Sequence, residues 1–314
     1  MADRLEPLRG VISPMLTPFN DDLTIAHDLF AAHARRLLET GCAGLAPFGT
    51  TGEALSLGID ERMAALEHLI DHGVDPKKLI PGTGLTNLPD TTKLTRHAVD
   101  RGCAGVLVLP PFYFKNVSDD GLFAYFAGLI ERVAADDLRL YLYHIPPVAV
   151  VGLSIDLIQR LRAAFPTQIV GIKDSSGDWS NTRRLLTEVP GLIVYPGSEL
   201  SLLEALSLGA PGCITATANI NAAQIAEVVS LYHRGKEAEA NRQHEHVKKL
   251  RLTVQEYGPI PAQKYLLSVW SGDSRWRNVR PPWVSLPDAR ARQLNSVLQR
   301  DFASSPLPHT PVRG

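Results

Sequence analysis

Lys173 ends a short apolar segment, Gln-Ile-Val-Gly-Ile-Lys at 168–173, and a polar turn follows it. The pattern is typical of a buried parallel strand whose last residue brings a functional group to the edge of a sheet. Alternation along the strand predicts that Ile169, Gly171 and Lys173 share one face. A lysine among apolar neighbours must be paired or give up its proton, and a neutral amine can attack a carbonyl carbon to form a Schiff base. A lysine whose ammonium extends to solvent is the structural alternative.

Two threonines follow the second predicted strand, in the sequence Gly49-Thr50-Thr51-Gly52-Glu53. The glycines make the backbone flexible, and the hydroxyls and clustered amide N–H groups suit an anion such as a carboxylate. The alternative is a turn closed by threonine hydroxyl groups, with Glu53 as a charge in the first turn of a helix. The motif alone leaves both interpretations open.

A tyrosine ends the fifth predicted strand, which reads Tyr141-Leu142-Tyr143-His144. Alternation places Tyr141 and Tyr143 on one face and the other two residues on the opposite face. A tyrosine at the mouth of the sheet, one strand away from Lys173, could relay protons during Schiff-base chemistry. A core tyrosine whose hydroxyl finds a hydrogen-bond partner is the alternative.

The elements that position these residues alternate along the first part of the chain. Short apolar segments predict strands at 10–16, 44–47, 79–84, 105–109, 138–143, 168–173, 192–196 and 212–215. Amphipathic patterns predict helices at 26–39, 59–71, 89–101, 121–135, 155–165, 179–188 and 199–208. A helix between each consecutive pair of strands predicts an α/β fold, the (β/α)8 TIM barrel. A doubly wound open sheet is disfavoured because Ser-Pro-Met-Leu at 13–16 is not a glycine-rich dinucleotide turn.

Strand patterns stop near Asn219, and helices are predicted at 222–234, 236–254, 261–268 and 286–299. We expect residues 1–234 to form the catalytic barrel and residues 235–303 to form a C-terminal helical domain. The remaining residues, 304–314, are rich in proline, and we expect a disordered tail there.

Composition excludes several classes of function. The chain has 314 residues, is 45% hydrophobic and 21% charged, and carries a net charge of −1, which does not favour nucleic acid or a membrane surface as partner. Its cysteines, Cys42, Cys103 and Cys213, lie in small apolar contexts without metal-ligand spacing, which predicts packing thiols in a reducing compartment. We find neither a secretory signal pattern nor an apolar run of about 18 residues, and we expect a cytoplasmic protein.

Two further motifs are better explained by structural roles than by chemistry. His244-Glu245-His246 lies in a highly charged predicted helix, so we expect a solvated face rather than a pair of metal ligands. The segment Pro-Pro-Phe-Tyr-Phe-Lys at 110–115 combines stiffening prolines with aromatic side chains. It suits a packing loop or a contact between subunits.

Four motifs, taken in chain order, carry a family resemblance: Gly-Thr-Thr-Gly-Glu at 49–53, Tyr-His-Ile-Pro at 143–146, Gly-Ile-Lys-Asp at 171–174 and Gly-Cys-Ile-Thr-Ala-Thr-Ala-Asn at 212–219. Together they closely resemble the dihydrodipicolinate synthase / N-acetylneuraminate lyase family of Schiff-base pyruvate lyases. The resemblance runs from Gly10 to about Arg300. It implies a (β/α)8 barrel with a C-terminal helical domain, assembled as a homotetramer that is a dimer of dimers.

The resemblance also implies roles for individual residues. Lys173 would form the Schiff base with the keto carbon of pyruvate or another 2-keto acid, and Tyr143 would shuttle protons. Gly49, Thr50 and Thr51 would bind the pyruvate carboxylate through backbone amides and a hydroxyl group.

Tyr113 stands where the family's synthases place a tyrosine that a neighbouring subunit inserts into the site, and Ile214 stands where a backbone carbonyl lines the site. Val148 marks a departure, because it occupies the position of an arginine that grips the carboxylate of aspartate semialdehyde. Losing such a contact in a buried site costs about 2–5 kcal/mol. The sequence Ser-Glu-Leu at 198–200 also lacks the acidic pair of sialic-acid lyases, so we expect the second substrate to be neither aspartate semialdehyde nor N-acetylmannosamine.

The sequence therefore predicts a class I aldolase or related lyase that makes or cleaves a C–C bond between pyruvate and an aldehyde, with a 2-keto-3-deoxy acid as the joined compound. No cofactor or metal is expected, because the protonated lysine imine is itself the electron sink. Three alternatives stay open: 4-hydroxy-tetrahydrodipicolinate synthase, a keto-acid dehydratase using the same imine, and a non-catalytic keto-acid sensor. A phosphate-binding barrel isomerase is disfavoured because Pro-Gly-Ser-Glu at 196–199 places an acid where a phosphate loop would lie.

Overall fold

The computed structural model describes residues 6–302, so the predicted tail at 304–314 lies outside the described residues. Within that part the strands are β1 (Gly10–Ser13), β2 (Cys42–Leu45), β3 (Val106–Val108), β4 (Leu140–His144), β5 (Ile169–Asp174), β6 (Ile193–Pro196) and β7 (Gly212–Ile214). The α-helices are α1 (His27–Glu39), α2 (Ile59–Asp71), α3 (Leu88–Asp100), α4 (Asp119–Val133), α5 (Pro146–Ala149), α6 (Ile155–Ala164), α7 (Trp179–Glu188), α8 (Leu202–Ser207), α9 (Ala218–His233), α10 (Glu237–Gln255), α11 (Pro259–Ser271) and α12 (Asp288–Phe302).

The strands pair in parallel, in the orders β2-β1-β7 and β3-β4-β5-β6. Between β2 and β3 runs the segment 79–83, where Leu79 bridges Leu45 and Gly82 bridges Leu107. Strand β6 lies beside β7, which brings the two groups of strands together on the other side. The strands and the surrounding helices form the (β/α)8 TIM barrel that the sequence predicts.

The third predicted strand, 79–84, is less regular than expected. Its backbone still bonds to both neighbours, since Ile80 N–H donates to Leu45 O at 2.8 Å and Thr83 N–H donates to Leu107 O at 3.0 Å. Pro81 stands between them and has no N–H, so a continuous ladder cannot form. The segment fills its position in the barrel without meeting the pattern of an extended strand.

The barrel interior is filled by side chains that alternate with those facing the helices. Its buried members are Ile12, Ala46, Ile80, Leu107, Tyr141, Tyr143, Ile145, Ala149, Tyr195 and Ile214. Gly171 belongs to this face, because a Cβ there would meet the Tyr141 ring at 2.6 Å. The prediction that Ile169 shares the face of Lys173 is wrong: Ile169 packs with the outer core, and Val170 packs against the interior cluster. The pairing of β5 with β4 shifts by one residue here, since Leu140 pairs with Ile169 but Tyr141 pairs with Gly171. Because side chains alternate along a strand, the extra residue places Ile169 on the opposite face from Gly171 and Lys173.

Helices α10, α11 and α12 build a second apolar core, which contains Leu250, Leu266 and Leu294 and also includes Leu16 and Ile220 from the barrel side. The two cores therefore adjoin each other, while the predicted domain boundary between residues 234 and 235 stays a prediction. Among the described residues, no helix has both the length and the apolar character needed to cross a bilayer.

The structure contradicts the expectation for one residue of the histidine pair and agrees with the expected packing role of the cysteines that it buries. The predicted solvated face is wrong for His244, which is buried, with its Nε2 2.6 Å from the carbonyl oxygen of Glu199. No cluster of potential metal ligands occurs in the described range 6–302. Cys42 and Cys213 are buried free thiols, and burial raises the pKa of Cys42 to about 12, which suits a packing role.

Candidate active site

Lys173 and Tyr143 are direct neighbours across the β4–β5 pair, both near the ends of their strands. The Lys173 Nζ donates a hydrogen bond to the Tyr143 hydroxyl at 3.2 Å and lies 4.4 Å from the centroid of the Tyr143 ring. Both residues are buried, with 5% and 3% of their surface exposed. The Tyr143 hydroxyl is in turn 3.3 Å from Thr50 Oγ1. An amine, a phenol and a hydroxyl thus form one chain of hydrogen bonds.

The carboxylate of Asp174 holds the end of β5 in place. It accepts hydrogen bonds from Thr182 Oγ1 at 2.6 Å, Asn181 Nδ2 at 3.1 Å and the N–H of Ser176 at 2.9 Å. These bonds tie the strand end to the start of α7. Lys173 is therefore presented by a backbone that is fixed on its C-terminal side.

The turn after β2 presents unused backbone donors. The Gly49 carbonyl oxygen accepts from Gly52 N–H at 3.1 Å and Ala54 N–H at 3.2 Å, which closes the turn. Over residues 6–302 we find no acceptor for the N–H groups of Thr50 and Thr51. Adjacent unpaired N–H groups make a concavity that favours an anion. The expected turn is therefore present, with two donors left for a ligand.

Glu53, at the end of this turn, is fixed from behind by the C-terminal helices. Its backbone has φ 55°, a left-handed conformation that is uncommon for residues with a side chain. The Glu53 carboxylate forms an ion pair with Lys264 of α11, both side chains being fully buried, and accepts from the N–H of Arg280 at 3.0 Å. Burial lowers the pKa of Lys264 to about 8, against the opposing charge of Glu53. Glu53 stands directly before the short 3-10 helix Ala54–Ser56, but its carboxylate makes no hydrogen bond to that helix and pairs with Lys264 instead.

A cavity of about 180 Å³ opens beside the Tyr143 and Thr50 side chains. It is lined by Phe48, Gly49, Thr50, Glu53, Ala54, Leu55, Ser56, Gly82, Gly84, Leu107, Leu109, Phe112, Tyr143, Ile145, Val148, Ala149 and Trp283. That volume holds on the order of a dozen water-sized groups, which is more than pyruvate alone requires. The cavity therefore has space for a second substrate.

The structure brings some of the predicted site residues together and not others. Gly49, Thr50, Tyr143 and Val148 line the cavity, and the Lys173 amine donates to the hydroxyl of Tyr143 in its wall. The remaining three do not line it. Thr51 is half-buried in the same turn, Ile214 is fully buried in the barrel interior, and Tyr113 is 72% exposed with its ring 5.6 Å from that of Phe114.

Glu199, the acid after β6, is committed to the scaffold. It is fully buried, receives hydrogen bonds from the hydroxyls of Thr215 and Thr217, and pairs with Arg251 of α10 at 3.0 Å. It therefore links the barrel to the C-terminal helices.

Sequence reasoning missed two contributors to this site. Trp283 lines the cavity from a segment between helices α11 and α12, which lies outside every helix and strand that the sequence predicts. Lys264 supports the threonine turn, and its one signal was a lysine within an otherwise apolar helical pattern beside Leu266 and Leu267. A charged residue on a buried helical stripe is a sign of a buried partner.

Comparison with known proteins gives consistent results. The model of the dihydrodipicolinate synthetase family matches residues 7–301. An uncharacterized DapA-like lyase of Chloroflexus aurantiacus is 35% identical over 298 residues, covering 95% of this chain and 98% of that protein.

Two crystal structures superpose with TM-scores of 0.85. Dihydrodipicolinate synthase from Agrobacterium tumefaciens is 36% identical, with 93% of this chain and 99% of that one covered. YagE from Escherichia coli K12, a prophage protein of the dihydrodipicolinic acid synthase family determined with pyruvate, is 29% identical, with 94% and 99% covered. The resemblance drawn from four short motifs is confirmed: the chain belongs to the dihydrodipicolinate synthetase family and is an enzyme of the lyase class.

Proposed function

We propose that this lyase makes or cleaves a C–C bond between pyruvate and an aldehyde, through an imine on Lys173. The observation that carries the proposal is the continuous contact from the Lys173 amine to the Tyr143 hydroxyl and on to the Thr50 hydroxyl, at 3.2 and 3.3 Å. Nucleophile, proton carrier and substrate-binding group are within hydrogen-bond reach of each other. The pyruvate in the crystal structure of YagE supports a keto acid as the first substrate.

In the proposed mechanism the Lys173 amine attacks the keto carbon, and loss of water gives an iminium ion. The iminium withdraws electrons, so a proton leaves the neighbouring methyl carbon and an enamine forms. The enamine carbon attacks the aldehyde carbon, and hydrolysis of the imine releases a 4-hydroxy-2-keto acid and frees the lysine. Cleavage follows the same steps in reverse. The covalent imine is the electron sink, and the proposal requires no other cofactor.

Tyr143 has the position to move these protons, because its hydroxyl contacts both the amine and Thr50. The carboxylate of pyruvate would lie at the Gly49–Thr51 turn, where the N–H groups of Thr50 and Thr51 have no acceptor among the described residues. The Ile214 carbonyl would lie on the barrel side of the same substrate. In these roles the Gly49–Thr51 turn holds the carboxylate and the end of β5 holds the amine, so both must stay fixed relative to each other during the reaction.

Assembly and location complete the proposal. Tyr113 and Phe114 are exposed, with 72% and 63% of their surface accessible, which suits a contact with a second subunit. We infer a homotetramer in which Tyr113 reaches the site of a neighbour, and a cytoplasmic enzyme with neither nucleic acid nor membrane as partner.

4-Hydroxy-tetrahydrodipicolinate synthase activity is the main competing function, and the likeness to the Agrobacterium tumefaciens enzyme favours it. Against it, Val148 lines the cavity and offers no charge to a substrate carboxylate. A dehydratase would form the same imine and then expel water, and a sensor would bind pyruvate without forming an imine.

Borohydride reduction in the presence of pyruvate tests the proposal. We expect intact mass to rise by one reduced pyruvate adduct in the native chain and in Lys115→Ala, which removes an exposed lysine near the cavity. Lys173→Ala should give no adduct. An unchanged adduct in Lys173→Ala, or none in the native chain, would refute the mechanism.

A further inference from the structure

Apolar side chains form a large part of the walls of the cavity beside Tyr143 and Thr50. Leu55, Val148 and Trp283 line it while keeping 59%, 61% and 41% of their surface exposed, and Phe112 adds an aromatic wall. Large apolar side chains that remain exposed around a concave site are typical of a surface that a ligand covers.

Two polar groups on the cavity lining already have partners. The Glu53 carboxylate is shared between Lys264 and the N–H of Arg280, and the Ser56 carbonyl oxygen accepts from the Arg280 guanidinium at 2.7 Å. The polar side chains left for a substrate are the Ser56 hydroxyl and the hydroxyls of Thr50 and Tyr143, and the last two already bond to each other beside Lys173. A polyhydroxylated substrate tail would therefore find few partners.

Positive charge is also missing from the walls. Among the described residues that line the cavity there is no lysine or arginine. The nearby Lys115 directs its ammonium to the carbonyl oxygens of Phe112 and Ala149, the second at 3.2 Å. A carboxylate placed against Leu55 and Val148 would lose water without gaining a charged partner, which is unfavourable.

The backbone at Trp283 is held in place through Arg280. The backbone N–H of Trp283 donates to the carbonyl oxygen of Arg280 at 3.0 Å, and the Arg280 guanidinium binds Leu23 O at 2.7 Å and the carboxylate of Glu61 at 2.8 Å. The backbone that carries the indole is therefore fixed, so a substrate that packs on Trp283 does not have to order this segment first.

We propose that the aldehyde condensed with pyruvate carries an uncharged apolar tail, aromatic or branched aliphatic, that packs against Leu55, Val148 and Trp283. The inference rests on the function proposed above and names its second substrate. One C–C bond forms between the enamine carbon and the aldehyde carbon, water returns to the imine, and the product is a 4-hydroxy-2-keto acid with the apolar group at its far end. No oxidant or reductant is consumed.

The test compares kcat/KM for pyruvate with benzaldehyde, 3-methylbutanal, glyceraldehyde and succinic semialdehyde, using the full chain. We expect the two apolar aldehydes to exceed succinic semialdehyde by about tenfold or more. Trp283→Ala should lower the value for benzaldehyde about tenfold and the value for glyceraldehyde less than about twofold. Trp283→Leu should lie between, and Val284→Ala, which changes an exposed neighbour, should match the native chain.

The reduced pyruvate adduct is measured on every variant, because it reports on the Lys173 imine alone and not on the choice of aldehyde. A preference for the charged or polyhydroxylated aldehyde, or an equal loss for all aldehydes in Trp283→Ala, overturns the apolar acceptor and leaves the imine mechanism standing. Absence of any adduct in the native chain overturns both.

Discussion

Replacing Lys264 by methionine should destabilise the protein far more than the loss of an ordinary lysine. The ammonium of Lys264 pairs with Glu53, donates to the Asn278 carbonyl oxygen at 2.7 Å and lies 4.3 Å from the centroid of the Phe19 ring. Methionine fills a similar volume without charge. The Glu53 carboxylate would then be buried with the N–H of Arg280 as its remaining donor.

The size of the expected loss in the free energy of unfolding follows from the burial of both charges. Neither side chain of the Lys264–Glu53 pair is exposed, so water cannot replace the lost partner. Removing one member of such a pair costs about 3–5 kcal/mol, a large part of the stability of a typical domain. The Lys264 pKa of about 8 keeps most of this charge present at pH 7, where the measurement is made.

The assay is urea unfolding followed by circular dichroism on Lys264→Met, Glu53→Gln and the double variant. We expect each single variant to lose about 3–5 kcal/mol and the double variant to lose clearly less than the sum, because no unpaired charge remains in it. Lys248→Met is the matched control. Its partner Glu245 is 72% exposed, so water can replace the lost ammonium and the pair should contribute under about 1 kcal/mol.

Losses that are additive in the double variant, or a loss in Lys264→Met no larger than that in Lys248→Met, would refute the reasoning. The first result would mean that the two side chains act independently. The second would mean that water reaches the carboxylate of Glu53.

Three further predictions concern the site and its scaffold. Tyr143→Phe should lower kcat for condensation by about 10²–10⁴, since it removes the proton carrier, and a loss of less than about threefold in steady-state assays would argue against that role. Val148→Arg should raise kcat/KM for aldehydes that carry a carboxylate by about tenfold or more, and no gain with succinic semialdehyde would contradict the explanation given for Val148. His33 has its pKa lowered to about 3, by burial first and by the charge of Arg36 next, so between about pH 6.5 and 3 the unfolded chain binds a proton that the folded chain does not. The free energy of unfolding should therefore fall on acidification by up to about 5 kcal/mol from this group, and chemical unfolding at pH 7 and pH 4.5 should show a smaller fall in His33→Gln than in the native chain.

The placement of Tyr143 beside Lys173 could be predicted from the sequence because it depends on short-range rules. Strand alternation and parallel pairing are enough to put Tyr143 and Lys173 side by side, and the structure pairs them directly. The Gly49–Glu53 turn was likewise recognisable from its residue types. Strand ends in a barrel face one rim, which explains why these motifs converge.

Other features depend on contacts that no local pattern encodes. The register shift in β5 moves Ile169 to the outer core, and nothing in the segment 168–173 indicates the extra residue. The pairing of Glu53 with Lys264 and the arrival of Trp283 at the cavity both require the C-terminal helices to dock on the barrel. Docking of this kind joins residues far apart in the chain, where sequence periodicity gives no information.

The most direct test of the account is to locate the imine. The native chain is reduced with borohydride in the presence of pyruvate and digested, and the modified peptide is sequenced by mass spectrometry. The account predicts a single modified residue, Lys173, the lysine whose amine lies 3.2 Å from the Tyr143 hydroxyl. A label on another lysine, such as Lys115 or Lys264, with Lys173 unmodified would contradict it.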